Sequence, residues 1–169
     1  MTSAEDSRVL YVVTCAAAPT PGIGALVDLA QADGWRVYLI ATPSALPFLD
    51  LDALQAKLGS PVFSSYRQPD EPKRQPPADA AIVAPATYNT INKWAAGIAD
   101  NYALGTLAEL TGQGLPIVAL PSVNGPLAAN RVFRRSLDEL RAAGIRVVHT
   151  PGEHGPDGFP WWSAVEALR

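Results

Sequence analysis

Five short apolar runs, rich in valine, isoleucine and leucine, constrain the fold more than any other feature of the sequence. Each run is apolar throughout instead of alternating with polar residues, which is typical of strands buried on both faces of a parallel sheet. Segments with helical spacing lie between the runs, so the pattern predicts an open α/β sheet with right-handed crossovers. The predicted strands are 8–14, 35–41, 80–84, 116–120 and 145–149, and the predicted helices are 23–32, 46–58, 90–96, 103–110 and 127–142.

Two segments depart from this alternation. Residues 66–77 (YRQPDEPKRQPP) contain four of the 16 prolines and almost no apolar side chains, which predicts a surface loop. Such a loop is compatible with a functional segment and, equally, with a tolerated insertion. Residues 151–169 begin with a Gly/Pro-rich loop and end on a predicted short helix that contains Trp161 and Trp162. The glycines predicted to end helices are Gly34, Gly59, Gly112 and Gly144.

Length and composition limit the classes of protein. With 169 residues, of which 48% are hydrophobic and 17% charged, the chain suits one domain, with its core at 8–150. A net charge of −3 without basic runs argues against nucleic acid binding. Cys15 is the only cysteine and His149 and His154 the only histidines, so neither a disulfide framework nor a metal site is expected. The absence of a signal peptide and of a long apolar run predicts a cytoplasmic protein without a membrane segment.

Residues directly after the strands are candidates for a ligand site, because ligands of open parallel sheets bind beyond the carboxyl ends of the strands. After the first predicted strand, the small residues between Thr14 and Gly24 suit either the close approach of an anion or a simple tight turn. After the second predicted strand, Thr42 and Ser44 flank Pro43 at a helix start. Their hydroxyl groups suit phosphate binding, although capping of the helix is the more common role of such residues.

The segment after the third predicted strand holds more polar side chains than helix capping requires. One capping residue is sufficient for a helix, but four residues with polar groups stand here. They are Thr87, Tyr88, Asn89 and Thr90. The polar pattern recurs at Asp100 and Asn101, and the proline-bounded turn 121–126 after the fourth predicted strand presents Asn124 at the same edge.

The run 85–105, PATYNTINKWAAGIADNYALG, resembles the signature P-A-S-A-N-T-I-x-K-x-A-x-G-I-x-D-N-L of the flavin-dependent cysteine decarboxylases. This family includes phosphopantothenoylcysteine decarboxylase and enzymes that oxidatively decarboxylate the C-terminal cysteine of lantibiotic-type peptides. The run 121–124 (PSVN) resembles the family motif P-x-M-N, and 41–50 (ATPSALPFLD) resembles its T-x-S-A-x-x-F segment. The resemblance spans about residues 8–150 and implies a Rossmann-like (flavodoxin-like) open parallel sheet with helices on both faces.

The resemblance also implies a cofactor and its contacts. In the family, the matching segments hold flavin mononucleotide (FMN), and the asparagine of P-x-M-N contacts the substrate carboxylate, which corresponds to Asn124 here. An amide N–H₂ group binds a carboxylate without neutralising it, which suits a group that leaves as CO₂. The implied FMN-binding residues are Thr14, Cys15, Ala16, Thr42, Ser44, Thr87, Tyr88, Asn89, Thr90 and Ser122.

Three departures from the family concern the site. The serine of the family's first loop is absent, which leaves phosphate binding to backbone N–H groups or to Thr20. The family's catalytic histidine precedes the P-A-S-A-N-T strand, where this chain has the loop 66–77 and no histidine. The late cysteine that serves as a proton donor in the pantothenate-pathway enzymes is also absent, and His154 is either an acid in its place or a bystander in a flexible loop. The candidate substitutes for the histidine are first Asp70 and Glu71 and then Tyr66 and Arg67, although a solvated loop position is the more common role of such residues.

These observations lead to a ranked set of hypotheses. The first is an FMN-dependent oxidative decarboxylase, a lyase that converts a peptidyl or phosphopantothenoyl cysteine carboxylate to an enethiol and CO₂. The alternative is a flavin-binding regulatory or assembly subunit with impaired catalysis, because the histidine and the late cysteine are missing. A third is a nucleotide-binding α/β domain whose motif match is accidental. The resemblance also implies a homotrimer or a dodecamer built from trimers.

Overall fold

A sheet of five parallel strands forms the centre of the protein, whose computed structural model describes residues 7–149, 152 and 154–169. The strand order is β2-β1-β3-β4-β5, which is the order of the flavodoxin-like doubly wound folds. The predicted α/β parallel sheet is therefore confirmed. The strands are β1 (Val9–Thr14), β2 (Arg36–Ala41), β3 (Ala80–Ala86), β4 (Ile117–Pro121) and β5 (Arg146–Val147).

Helices cover both faces of the sheet. The α-helices are α1 (Ile23–Ala32), α2 (Leu51–Leu58), α3 (Tyr88–Ala95), α4 (Tyr102–Gln113), α5 (Gly125–Ala129), α6 (Arg131–Ala142) and α7 (Trp161–Glu166). Short 3₁₀ helices at Thr20–Gly22 and Pro43–Phe48 precede α1 and α2. In the described part of the chain, no helix is both long enough and apolar enough to span a bilayer.

The two layers of helices explain why the strands are apolar throughout. Leu10 and Val12 of β1 pack with α1 and α7 on one face, whereas Tyr11 and Val13 pack with α3, α4 and α6 on the other. Successive strand residues point to opposite faces, so a sheet covered on both sides needs apolar side chains at every position. All residues of β1, β3 and β4 are buried accordingly.

Two predicted helices are interrupted by a capping residue. The predicted helix 46–58 is instead a 3₁₀ helix followed by α2, because the carboxylate of Asp50 accepts a hydrogen bond from the Ala53 N–H at 3.1 Å and starts a new helix. The predicted helix 127–142 is divided at Asn130, whose side chain accepts from the Val132 N–H at 2.8 Å and caps α6. Such local bonds compete with the continuing helix.

Other element boundaries also differ from the sequence prediction. The strand β3 continues through Pro85 to Ala86, and β5 is limited to two residues. Gly112 lies inside α4, which ends instead at Gly114 with a φ of 71°. The other three predicted glycines have positive φ angles, as expected of C-terminal caps. The loop 66–77 contains neither helix nor strand, as predicted.

Candidate functional site

A cavity lies at the carboxyl edge of the sheet, beside the ends of the neighbouring strands β1 and β3, from which the chain leads to opposite sides of the sheet. It has a volume of about 870 Å³, and its position is the one at which doubly wound folds bind their ligands. Four post-strand segments and a few additional residues form its walls. They are 16–18, 42–44, 87–90 and 122–124, together with Lys93, Asp100, Asn101, Leu127 and His154.

The first predicted site residues lie beneath this cleft and not on its surface. Thr14 and Cys15 are 0% and 1% exposed. The Cys15 thiol donates a hydrogen bond to Thr90 Oγ1 at 3.4 Å, which ties the end of β1 to the start of α3. Ala16 is the first residue of this segment that reaches the cleft. The structure thus separates a buried floor from the residues that line the cavity.

We expect the Cys15 thiol to be unreactive in the folded protein, because burial raises its pKa and excludes reagents from the sulfur atom. A colorimetric disulfide reagent should label no thiol in buffer and one thiol per chain after unfolding in guanidinium chloride. Rapid labelling of the native protein would contradict this account of the cleft floor.

Thr20 cannot replace the missing family serine in this conformation. Its hydroxyl donates to the Cys15 carbonyl oxygen at 2.6 Å and accepts from the Ala17 N–H at 3.0 Å. The single hydroxyl proton is therefore already donated within the loop and is not available to a phosphate. Thr42, in contrast, begins a 3₁₀ helix without forming a capping bond through its side chain. Thr42 and Ser44 therefore line the cleft with hydroxyl groups that the helix start does not use.

The polar residues at the start of α3 have three different roles: helix capping, ring stacking and lining of the cleft. Thr87 is the cap, since its Oγ1 accepts from the Thr90 N–H at 3.3 Å. Tyr88 stacks on the buried ring of Phe133, with ring centroids 5.8 Å apart and an interplanar angle of 23°. Asn89 is exposed in the cleft and does not cap the helix. The amide of Asn89 is thus at the cavity surface without a role in the helix start.

Asn124 forms one structural hydrogen bond, and its N–H₂ group has no hydrogen-bond partner among residues 7–149, 152 and 154–169. Its Oδ1 accepts a hydrogen bond from the Leu127 N–H at 3.0 Å and caps the short helix α5. The Leu127 N–H can bond only to the oxygen of the Asn124 amide, so this bond fixes which end of the amide faces α5. The N–H₂ group at the other end is left available at the cleft. Ser122 is positioned beside it, since its N–H donates to the Ala86 carbonyl oxygen at 2.9 Å and joins the ends of β4 and β3.

An ion pair lies at one side of the cleft. Lys93 Nζ is 2.6 Å from Asp100 Oδ2, and Asn101 beside it caps α4 by accepting from the Leu104 N–H at 2.8 Å. Lys93 and Leu127 also line the cleft, although neither was predicted from the sequence. Lys93 follows Asn89 by four residues on α3, and this spacing places the two on the same helix face, which is the signal that could have identified it.

His154 enters the cleft from the C-terminal segment. Its loop approaches the start of α1 so closely that a Cβ atom at Gly22 would lie 2.8 Å from the Pro156 carbonyl oxygen. The imidazole packs edge-on against Phe159 with centroids 6.0 Å apart, and within the described residues its buried Nε2 atom has no hydrogen-bond partner. Trp161 packs in the core, and Trp162 is 61% exposed away from the cleft.

The loop 66–77 does not bring a substitute for the missing histidine to the cleft. Tyr66 and Arg67 line a separate cavity beside α4, and Asp70 and Glu71 are exposed. The Glu71 carboxylate accepts from the Gln68 N–H at 2.9 Å, which is a bond within the loop itself. The ionisable side chains that the described cleft does contain are those of Tyr88, Lys93, Asp100 and His154.

The strand order and the position of the cleft define a flavodoxin-like doubly wound protein with its ligand cleft at the β1/β3 switch point. Residues 1–165 match the family model described as Flavoprotein. The chain therefore belongs to the Flavoprotein family.

Two curated relatives share part of the sequence. The chain is 26% identical over 121 residues to a probable phosphopantothenoylcysteine decarboxylase of Streptococcus mutans. This match covers 68% of this chain and 67% of that protein. It is 24% identical over 127 residues to the coenzyme A biosynthesis bifunctional protein CoaBC of Thermococcus kodakarensis. That match covers 72% of this chain and 31% of CoaBC, so the chain spans about a third of the bifunctional protein.

Solved structures share the fold over nearly the whole chain. The cypemycin decarboxylase CypD superposes with a TM-score of 0.74 at 23% identity, over 96% of this chain and 92% of that one. The FMN-dependent cysteine decarboxylase TvaF from thioviridamide biosynthesis superposes with a TM-score of 0.72 at 25% identity, over 95% and 98% of the two chains. Both likenesses agree with the predicted flavodoxin-like architecture.

Proposed function

We propose that the protein binds FMN in this cleft and oxidatively decarboxylates a cysteine-type carboxylate, peptidyl or phosphopantothenoyl, to an enethiol and CO₂. The observation that carries the proposal is the unused N–H₂ group of Asn124, which shares one cavity with the helix starts at 42–44 and 87–90. The relatives support the same chemistry, because TvaF is described as an FMN-dependent cysteine decarboxylase and the Streptococcus mutans relative as a probable phosphopantothenoylcysteine decarboxylase.

The residues of the cleft fit FMN. A volume of about 870 Å³ is in the usual range for cofactor sites. The hydroxyl groups of Thr42 and Ser44 are suited to a phosphate, and the small residues 16–18 allow its close approach to the backbone. Thr87, Asn89 and Ser122 add polar groups that can hold the remainder of the cofactor. Thr14 and Cys15 would contribute from beneath, by positioning the floor.

Bound FMN would supply a two-electron oxidation of the substrate's cysteine unit, which makes the adjacent carboxylate a good leaving group. Asn124 would hold that carboxylate through neutral N–H donors, so that the charge is oriented without being fixed by a cation. Tyr88, which lines the cleft and stacks on the buried ring of Phe133, would give the reacting group a rigid wall. The ion pair of Lys93 and Asp100 would bound the site on the side of α4.

His154 is the proposed proton-transfer residue, and we expect His154→Gln to lower kcat about a hundredfold. Glutamine retains a polar side chain of similar reach but cannot hold or release a proton near neutral pH. FMN should remain bound, as its visible absorbance reports. His149→Gln is the matched control, because His149 packs against Phe133 and does not line the cleft. Equal rates for the two variants would show that His154 does not transfer the proton.

The cofactor proposal is tested directly on the purified protein. We expect a yellow protein whose visible spectrum is that of an oxidised flavin, and release of FMN on denaturation, identified by its mass. Protein that is colourless as purified and does not bind added FMN in an equilibrium titration would contradict the proposal.

We further propose that the chain acts as one flavin-binding domain in the cytoplasm and assembles as a homotrimer or a dodecamer of trimers. Exposed apolar side chains on several surfaces, among them Phe48 at 43% and Ile98 at 46% exposure, support association between copies. The single cysteine supports a reducing compartment. Light scattering after gel filtration measures the assembly, and a monomer would contradict this part of the proposal.

A further inference from the structure

A second cavity, of about 370 Å³, lies between the loop 66–77 and helix α4. None of the residues that line it also lines the cleft. Its walls combine tyrosine rings with cationic side chains, and nothing in the proposed function uses them.

Tyr66 forms one wall of the second cavity, and its position depends on a glycine. A Cβ atom at Gly105 would lie 1.9 Å from the Tyr66 hydroxyl oxygen, so the tyrosine can lie against α4 only because residue 105 has no side chain. Glycine inside a helix costs about 1 kcal/mol of stability relative to alanine. The ring also meets Tyr102 of α4 edge-on, with centroids 5.2 Å apart. The aromatic wall is therefore formed at the expense of helix propensity.

Hydrogen bonds fix the loop over the cavity although it has no regular secondary structure. The Tyr11 hydroxyl donates to the Pro76 carbonyl oxygen at 2.5 Å, and burial raises its pKa to about 12, so it remains a donor at neutral pH. The Tyr102 hydroxyl donates to Gln75 Oε1 at 2.8 Å. Arg74 closes the loop on itself, since its guanidinium donates to the Ser65 carbonyl oxygen at 2.7 Å.

The charge around the second cavity is opposite to that of the whole protein. Arg67, Lys73 and Arg74 line it together with a single carboxylate, that of Glu109, although the chain carries a net charge of −3. No carboxylate of residues 7–149, 152 and 154–169 forms an ion pair with Lys73. Such a combination suits an aromatic anion, because the cationic groups attract its charge and the tyrosine rings pack against its ring.

We propose that this cavity binds a small organic anion in which a phosphate or carboxylate group is attached to an aromatic ring. The ring would pack against Tyr66 and Tyr102, and the anionic group would meet Lys73 and the guanidinium groups at the mouth. The cavity volume of about 370 Å³ admits a molecule of this size and excludes a folded partner. This inference does not depend on the proposed decarboxylase function.

Isothermal titration calorimetry on the protein as purified tests the site, with phenyl phosphate, benzoate and inorganic phosphate as probes. We expect saturable binding of one or both aromatic probes, at least about tenfold tighter than inorganic phosphate, or about 1.4 kcal/mol. The comparison of phenyl phosphate with benzoate identifies the preferred anionic group. Lys73→Met should weaken binding about tenfold, whereas Lys57→Met, which removes a lysine paired with Asp28 elsewhere, should leave it unchanged.

Gly105→Ala provides a second test, in which we expect the fold to be retained because the added methyl group meets the end of an exposed side chain. The new methyl group should displace the exposed Tyr66 side chain and weaken binding about tenfold, whereas alanine raises helix propensity. Gly112→Ala is the matched control, because no atom lies within 4 Å of a Cβ built at Gly112 in the same helix. The control should bind as the unmodified protein does.

Three results would overturn the inference. They are the absence of saturable aromatic binding, equal affinities in Gly105→Ala and Gly112→Ala, and loss of binding on Ser44→Ala. The last result would place the probe in the cleft, because Ser44 lines the cleft and not the second cavity. The FMN content of each sample, read from its visible spectrum, reports separately on the cleft, so failure of one proposal is distinguishable from failure of the other.

Discussion

Replacing Asn124 by aspartate is expected to lower turnover at least about a hundredfold while FMN stays bound and the melting temperature is unchanged. The aspartate carboxylate can still accept the Leu127 N–H bond that caps α5, so the local structure is retained. The N–H₂ donors are lost, and a negative charge is placed beside the substrate carboxylate. The lost bond and the repulsion together cost about 3 kcal/mol, and each tenfold in rate corresponds to about 1.4 kcal/mol.

The matched control for this variant is Asn130→Asp. Asn130 also caps a helix through its side-chain oxygen, accepting from Val132 N–H, but it does not line the cleft. Steady-state turnover, flavin absorbance and thermal unfolding are compared for the two variants. If Asn124→Asp is yellow and fully active, Asn124 only caps α5 and the assigned carboxylate contact is wrong.

Asn89→Ala is expected to weaken FMN binding at least about tenfold without lowering the melting temperature of the apoprotein. The helix α3 is capped by Thr87, so truncation of Asn89 removes no capping bond. Loss of a polar contact to the cofactor in a partly enclosed site costs about 1 to 3 kcal/mol. Fluorescence titration of the apoprotein with FMN gives the affinity, and thermal unfolding without FMN gives the stability.

The control for Asn89 is again a capping asparagine outside the cleft. Asn130→Ala should lower the free energy of unfolding by about 1 kcal/mol and leave FMN affinity unchanged. The two alanine variants should thus show opposite patterns. Stoichiometric FMN binding by Asn89→Ala, combined with a lower melting temperature, would show that Asn89 supports the helix and not the cofactor.

The sheet was predictable because burial on both faces leaves a pattern in the sequence. Every residue of β1 is buried, and its run of apolar residues shows this directly. The helix break at Asn130 was not predictable from apolar spacing, because Ala129 and Phe133 keep the i, i+4 spacing of a helix across it. The cap is a local bond of a single side chain, and such a bond leaves no periodic signal.

The candidate site was predictable in outline for a topological reason, since the ends of parallel strands meet at one edge. How deeply each site residue is buried was not predictable from the sequence. Thr14 is 0% exposed and lies inside the sheet, where its carbonyl oxygen accepts from the Thr42 N–H at 3.0 Å. His154 reaches the cleft through packing of its loop against Gly22, a contact between residues far apart in sequence.

Anaerobic mixing with a peptide that ends in cysteine tests the decarboxylase proposal most directly. Without oxygen, the two electrons removed from the cysteine unit must remain on the flavin, so its visible absorbance should bleach in a single turnover. The peptide should become lighter by CO₂ and two hydrogen atoms, and admission of air should restore the yellow colour. Pantothenoyl cysteine and its phosphorylated form, mixed in the same way, identify a non-peptide substrate. A flavin that stays oxidised with all of these compounds, each recovered unchanged, would contradict the proposal and favour a flavin-binding subunit without decarboxylase activity.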